Sequence, residues 1–295
     1  MDKVQAAIAK ARAARNELAG GAISQTQPSH AGLRSADARG SSVDATVPAS
    51  SNGRAAFWQP LASFVPPAKL MAKHRIVTYE TGSQKDVGIV AFDMLRTKVL
   101  LQMRANGWKR LAITSPGANC GKTTVSMNLA FSLARQPEVH TIVAEMDMRR
   151  PSMANVLGLT GDTSFSAVLD GRADFADIAR RPRPNLAFAL NYGPTRNSSE
   201  LLQSSTVGQV LSSIEKRFAP DLTIFDMPPM LQSDDTMAFM GQVDCVLLVA
   251  AAESTSLGEI DTCERDLATQ TNVMGVLLNK CRYLDKDSGA VGTYY

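Results

Sequence analysis

The segment Ser115-Pro116-Gly117-Ala118-Asn119-Cys120-Gly121-Lys122-Thr123-Thr124 stands between an apolar run, Leu111–Thr114, and the helix-like stretch Val125–Ala134. A tight loop between a strand and a helix aims backbone N–H groups at an anion, and the helix N-terminus adds partial positive charge. In such a cradle Lys122 is placed for the β- and γ-phosphates of a nucleotide, the Thr123 hydroxyl for Mg²⁺ and Thr124 for a second phosphate contact, with Gly117, Ala118, Asn119, Cys120 and Gly121 supplying backbone. Pro116 stands where the first Gly of GxxxxGK[ST] belongs, so Gly117 must take the turn. A strand-to-helix turn that binds nothing is the plain alternative for a lone motif.

Two further strand ends weigh against that alternative. Asp226 closes the apolar run Leu222–Phe225, and Glu145 and Asp147 follow Thr141–Ala144. Open α/β sheets bind ligands outside the carboxyl ends of their strands, where these acids fall. A carboxylate at Asp226 can hold the shell of a metal ion, and Glu145 and Asp147 can polarise an attacking hydroxyl or complete that shell. The expected catalytic set is therefore Lys122, Glu145, Asp147 and Asp226, with Thr123, Asp147 and Asp226 around Mg²⁺ and ATP as the nucleotide.

These side chains need a sheet to align them. A helical period runs from about Gln84 to Ala105, and strand-like runs at Leu111–Thr114, Thr141–Ala144, Leu186–Leu190, Leu222–Phe225, Cys245–Val249 and Val276–Leu278 then alternate with helical ones. Near-continuous apolar strands fit strands buried on both faces. The expectation is a doubly wound, mainly parallel α/β sheet of the P-loop NTPase kind over residues 71–295. Before it, an Ala-rich helix spans residues 1–19 and a disordered or extended linker spans 20–70, where Gly, Ser, Gln and Asp leave little apolar area to bury. Phe57, Trp58 and Phe64 interrupt that composition with a segment able to pack on the domain.

A chain of 295 residues with 44% hydrophobic and 20% charged residues has the makeup of a globular protein, which sets aside a fibre or a wholly disordered chain. Its net charge of +3, without a long Lys/Arg run, gives no footprint for a specific nucleic acid. The four cysteines are far apart and form no CxxC pair, against a zinc site or a disulfide scaffold. No stretch reaches the roughly 20 apolar residues of a membrane span, and the scattered cysteines fit a reducing compartment, so the expected location is cytoplasmic.

From about Phe92 to Lys280 the sequence resembles the cytoplasmic tyrosine kinases of bacterial capsule and exopolysaccharide synthesis, a deviant-Walker branch of the P-loop ATPases. The carriers are Gly121-Lys122-Thr123-Thr124, Glu145-Met146-Asp147-Met148-Arg149-Arg150-Pro151, Asp226-Met227-Pro228-Pro229, Gly193 through Leu202, and Gly275 through Lys280. The resemblance implies autophosphorylation on a C-terminal tail, here Tyr283, Tyr294 and Tyr295. It also implies a membrane-embedded polysaccharide co-polymerase, or chain-length regulator, as activator at the inner face of the membrane, and a base contact at Asn279. Glu145 replaces the usual first Asp of the second acidic motif. Val90 and Asp93 replace two positions of the family's oligomerisation helix E-x-x-R-x-x-R, leaving Arg96 as the matched residue for a possible homo-oligomer. The alternative within the superfamily is an ATP-switched regulatory or partitioning-type ATPase without kinase activity, although the Lys that such proteins carry at the second loop position is Gly117 here.

Overall fold

The computed structural model describes residues 51–79 and 87–281. The expected helix over 1–19, most of the linker and all three candidate acceptor tyrosines lie outside these residues.

Eight strands form one sheet: β1 (Ala62–Ser63), β2 (Arg110–Thr114), β3 (Thr141–Glu145), β4 (Arg180–Arg183), β5 (Leu186–Ala189), β6 (Leu222–Asp226), β7 (Cys245–Ala251) and β8 (Asn272–Asn279), in the order β1-β4-β5-β3-β6-β2-β7-β8. All neighbours are parallel except β4 and β5, which pair antiparallel. The core strands β3, β5, β6 and β7 are buried along their whole length, the reason their sequences read as unbroken apolar runs. One face packs against helices Val87–Asn106 and Lys122–Leu133, the other against Ser205–Phe218 and Leu257–Ala268. Lys122–Leu133 is buried from Val125 to Leu133, so it shows no amphipathic pattern. Ser205–Phe218 instead turns Val207, Leu211, Ile214 and Phe218 inward.

Register places the chemistry. Glu145 of β3 and Ile113 of β2 both stand opposite Asp226 of β6, which brings three strand ends to one edge. The fold is thus the doubly wound sheet expected.

Described residues ahead of the expected boundary at Met71 also pack on the sheet. Residues Ser51–Trp58 form a helix and Ala62–Ser63 extends the sheet beside β4. Trp58 is 1% exposed, donates from Nε1 to the Phe218 carbonyl at 2.7 Å and meets His140 edge to face at 4.9 Å. Arg54 adds an ion pair to Asp221 at 2.7 Å. A single tryptophan buries enough area to order a short polar segment, in line with the aromatic residues Phe57, Trp58 and Phe64 that break the linker composition. The strand β4, Arg-Arg-Pro-Arg, was not legible, since a short run of arginines around a proline carries no strand-like pattern.

At the expected oligomerisation helix, Arg96 Nη1 is bound within the chain, to Asp93 Oδ1 and to the Ser132 carbonyl, each at 3.0 Å. Asp93 also accepts from Ser132 Oγ at 2.7 Å and from Arg135.

Candidate nucleotide and phosphate site

The loop after β2 is fastened from below before it reaches the helix. Thr114 Oγ1 donates to the Pro228 carbonyl at 2.8 Å, and the Met230 and Leu231 amides donate to the Ser115 and Pro116 carbonyls. Asn119 (φ 62°) and Gly121 (φ 92°) then adopt left-handed backbone, and Gly121 caps the helix that opens at Lys122. Gly121 is required twice, for its φ and because an added Cβ would overlap the Asn279 side chain. Asn279 Nδ2 donates to the Cys120 carbonyl at 2.8 Å. The residue expected at a base is therefore also a brace of the loop.

Beyond the loop the acids divide into two kinds. Asp226 is wholly buried and accepts from Thr123 Oγ1 at 2.7 Å and Ser126 Oγ at 2.9 Å. Burial pushes its carboxyl up to about 6, against the pull of Lys122 and of the two hydroxyls, with Asp147 adding to the rise. Asp147 holds the Lys122 ammonium at 3.1 Å, and both side chains keep a little exposure, 10% and 12%. Asp147 Oδ1 also accepts from the Arg150 amide at 3.1 Å.

Glu145 belongs to the second kind. It is 0% exposed, and its Oε1 accepts from the Ser152 and Met153 amides at 2.6 and 2.8 Å while Oε2 accepts from the Asn191 amide at 2.9 Å. Its carboxylate brackets two loops and does not line the cleft, so the role expected for it at a reacting hydroxyl does not fit its place. Burial raises its pKa to about 7, with three amides pulling the other way.

A cleft of about 510 Å³ opens over the loop, lined by Asn119, Gly121, Lys122, Thr123, Thr124, Asp147, Arg149, Arg150 and the Pro228–Ser233 turn. Its size suits a nucleotide, and its lining carries the loop, a helix N-terminus, the Lys122 ammonium, the Asp147 carboxylate and two arginines, with Asp226 buried beneath the Thr123 hydroxyl. Among the described residues there is no cluster of three or more His, Cys, Asp or Glu that could hold a metal alone. Thr123, Asp226 and Asp147 fit Mg²⁺, which takes one or two carboxylates and completes its shell with phosphate oxygens and water. Asp147 lines the cleft itself, and Asp226 meets it through the Thr123 hydroxyl.

The sequence marks Arg149 and Arg150 as candidates to receive a phosphate, but it did not reveal what holds Arg149 at the lip of the cleft. Arg149 Nε and Nη2 donate to Asp235 at 3.1 and 2.9 Å, and Nη2 also reaches Asp234 and Ser199 at 3.1 Å each. Ser198 and Ser199 come from the Gly193–Leu202 stretch, singled out only as a resemblance, and Asp235 opens a short helix where an acid reads as a cap. Ser126 was missed too, although it lies three residues past Thr123 on one helical face.

No family model matches the chain. The putative tyrosine-protein kinase CapB of Staphylococcus aureus is 28% identical over 200 residues, covering 67% of this chain and 86% of that protein. The tyrosine-protein kinase wzc of Salmonella typhi is 28% identical over 243 residues, covering 81% of this chain. Its match takes in 32% of wzc, so this chain corresponds to about a third of that longer relative. Among solved structures, the VpsO kinase domain superposes with a TM-score of 0.58 at 28% identity, covering 65% of this chain and 94% of that domain. The chain is a homologue of the bacterial tyrosine-protein kinases. The kinase domain of Escherichia coli ETK shares the fold as well, with a TM-score of 0.61 at 24% identity. As in any P-loop homologue, the helix N-terminus at Lys122 and the acid at the end of β6 share one sheet edge, which is why these motifs were legible before the fold was known.

Proposed function

We propose that the chain is an ATP-dependent protein-tyrosine autokinase of capsular or exopolysaccharide synthesis. The observation that carries this reading is the convergence of Lys122, Thr123, Asp147 and Asp226 under a nucleotide-sized cleft in a homologue of tyrosine kinases. Loop amides and Lys122 would bind and orient the β- and γ-phosphates of ATP, while Thr123, Asp226 and Asp147 would hold Mg²⁺. When bound, the metal would supply neutralisation of phosphate charge. Asp147, the acid that faces the cleft, accepts the proton of the tyrosine hydroxyl, and Glu145 fixes the loops that carry Asp147 and Ser152.

The proposed acceptors are Tyr283, Tyr294 and Tyr295, and the proposed activator is a membrane-embedded polysaccharide co-polymerase that recruits the chain to the inner face of the membrane. No helix among the described residues is long and apolar enough to cross a membrane, so in this reading recruitment falls to a partner. The internal bonding of Arg96 and Asp93 points a homo-oligomer to contacts through other residues. Immunodetection of phosphotyrosine after incubation with Mg-ATP, with and without a co-expressed activator, tests the reading. Wild-type signal that Lys122→Met lacks supports it, whereas steady phosphate release without phosphotyrosine in either setting favours the regulatory ATPase.

A further inference from the structure

Arg149 sits at the lip of the cleft with its guanidinium held on one edge. All four of its side-chain hydrogen bonds leave from Nε and Nη2: two to Asp235, one to Asp234 and one to Ser199. The fork is bidentate on Asp235, the geometry that fixes an Arg plane best. Asp235 is itself fixed. It is 0% exposed and accepts from Ser198 Oγ at 2.7 Å and, through a short bond, from Ser199 Oγ. Burial favours its neutral form, but Arg149 and the two serine hydroxyls outweigh burial and leave its carboxyl below the ordinary value. A buried, ionised carboxylate thus points a half-exposed arginine from a rigid base, and the chain that supplies the serines is tied back to the acidic motif by the Thr195 amide on the Met148 carbonyl at 2.8 Å.

We propose that Asp235, braced by Ser198 and Ser199, is a positioning residue that presents the remaining edge of Arg149, at Nη1, to the terminal phosphate of a nucleoside triphosphate, so that the cleft distinguishes triphosphate from diphosphate. The inference rests on the reading of the cleft as a nucleotide site. Lys122, Thr123 and the loop amides serve both nucleotides, whereas Arg149, on the wall with Asp147 and Ser152, contacts the group that only the triphosphate carries. A guanidinium swinging freely would lose rotamer entropy on each binding event; the Asp235 anchor removes that cost in advance.

The test is calorimetric titration of the full chain with Mg-ATP analogue, non-hydrolysable at the terminal bond, and with Mg-ADP. Wild type prefers the triphosphate. Arg149→Ala lowers triphosphate affinity about tenfold, the scale of one lost hydrogen bond to a charged group, and leaves diphosphate affinity within about twofold. Asp235→Asn lowers the preference severalfold, and adding it to Arg149→Ala lowers it no further. Ser199→Ala gives a smaller shift in the same direction and decides the matter should Asp235→Asn not fold. Loss of thermal stability with the ratio of the two affinities intact would overturn the inference and leave the cluster as a tertiary clip. Equal wild-type affinities would refute it while the nucleotide reading stands, and no binding of either nucleotide would refute both.

Discussion

Asn279, at the end of β8, donates to the carbonyl of Cys120, and its amide occupies the space where a side chain on Gly121 would begin. An edge strand and the phosphate loop are therefore locked together two residues before Lys122. Asn279→Ala should weaken ATP and GTP alike, by roughly threefold to tenfold, as expected for one lost hydrogen bond. If Asn279 acted chiefly on the base, the ratio of the two affinities would change instead. Gly121→Ala should abolish measurable binding, through overlap and through a left-handed φ that costs a residue with Cβ about 1–2 kcal/mol. The double variant Gly121→Ala/Asn279→Ala should recover part of it, as isothermal titration can show.

Metal dependence follows from the Thr123–Asp226 pair. Asp226→Asn removes the carboxylate that holds Thr123 Oγ1, and it should erase the gain in ATP affinity that Mg²⁺ gives the wild type. Binding of nucleotide in the presence of a chelator should change little, because the loop amides and Lys122 are untouched.

The ordered arm before the sheet is a stability element set apart from catalysis. Trp58 contacts His140 and Phe218, which precede β3 and β6, so it lies at the amino edge of the sheet, about 16 Å of strand away from the acids. Trp58→Ala should destabilise the fold by about 3–5 kcal/mol in urea unfolding, the usual range for a buried aromatic. Affinity for nucleotide, measured well below the new midpoint, should stay at the wild-type value.

Stability should also fall as pH rises toward neutrality. The Glu145 carboxyl goes from an ordinary 4.5 to about 7 on folding, chiefly through burial, so between those values the native state binds more protons than the unfolded chain. Unfolding free energy accordingly decreases through this window, by up to about 3 kcal/mol, and Asp226 adds in the same direction between 3.8 and about 6. Denaturant midpoints of the metal-free protein at about pH 5 and pH 8 measure the slope. Glu145→Gln should flatten its upper part, because the amide does not titrate.

What was legible in the sequence was whatever a local pattern could carry. The strands β2, β3, β5, β6 and β7 were visible because burial on both faces demands unbroken apolar runs, and Lys122, Thr123 and Asp226 because a strand-loop-helix and a strand end each leave a local signature. The division of labour between Glu145 and Asp147 was not visible. The two acids are two residues apart, and only the tertiary placement of Ser152, Met153 and Asn191 turns one into a bracket and leaves the other at the cleft. The same holds for Arg149 with Asp235, which are 86 residues apart, and for Trp58, whose partner carbonyl at Phe218 is 160 residues away.

The central claim is transfer of phosphate from ATP to tyrosine. Peptide-level mass spectrometry of the full chain incubated with Mg-ATP, beside Lys122→Met and a variant with Tyr283, Tyr294 and Tyr295 changed to Phe, tests it most directly, with the membrane activator present. The account predicts phosphate on one or more of these tyrosines in the wild type and on none in either variant. Unmodified tyrosines in a protein that binds and hydrolyses ATP would contradict it.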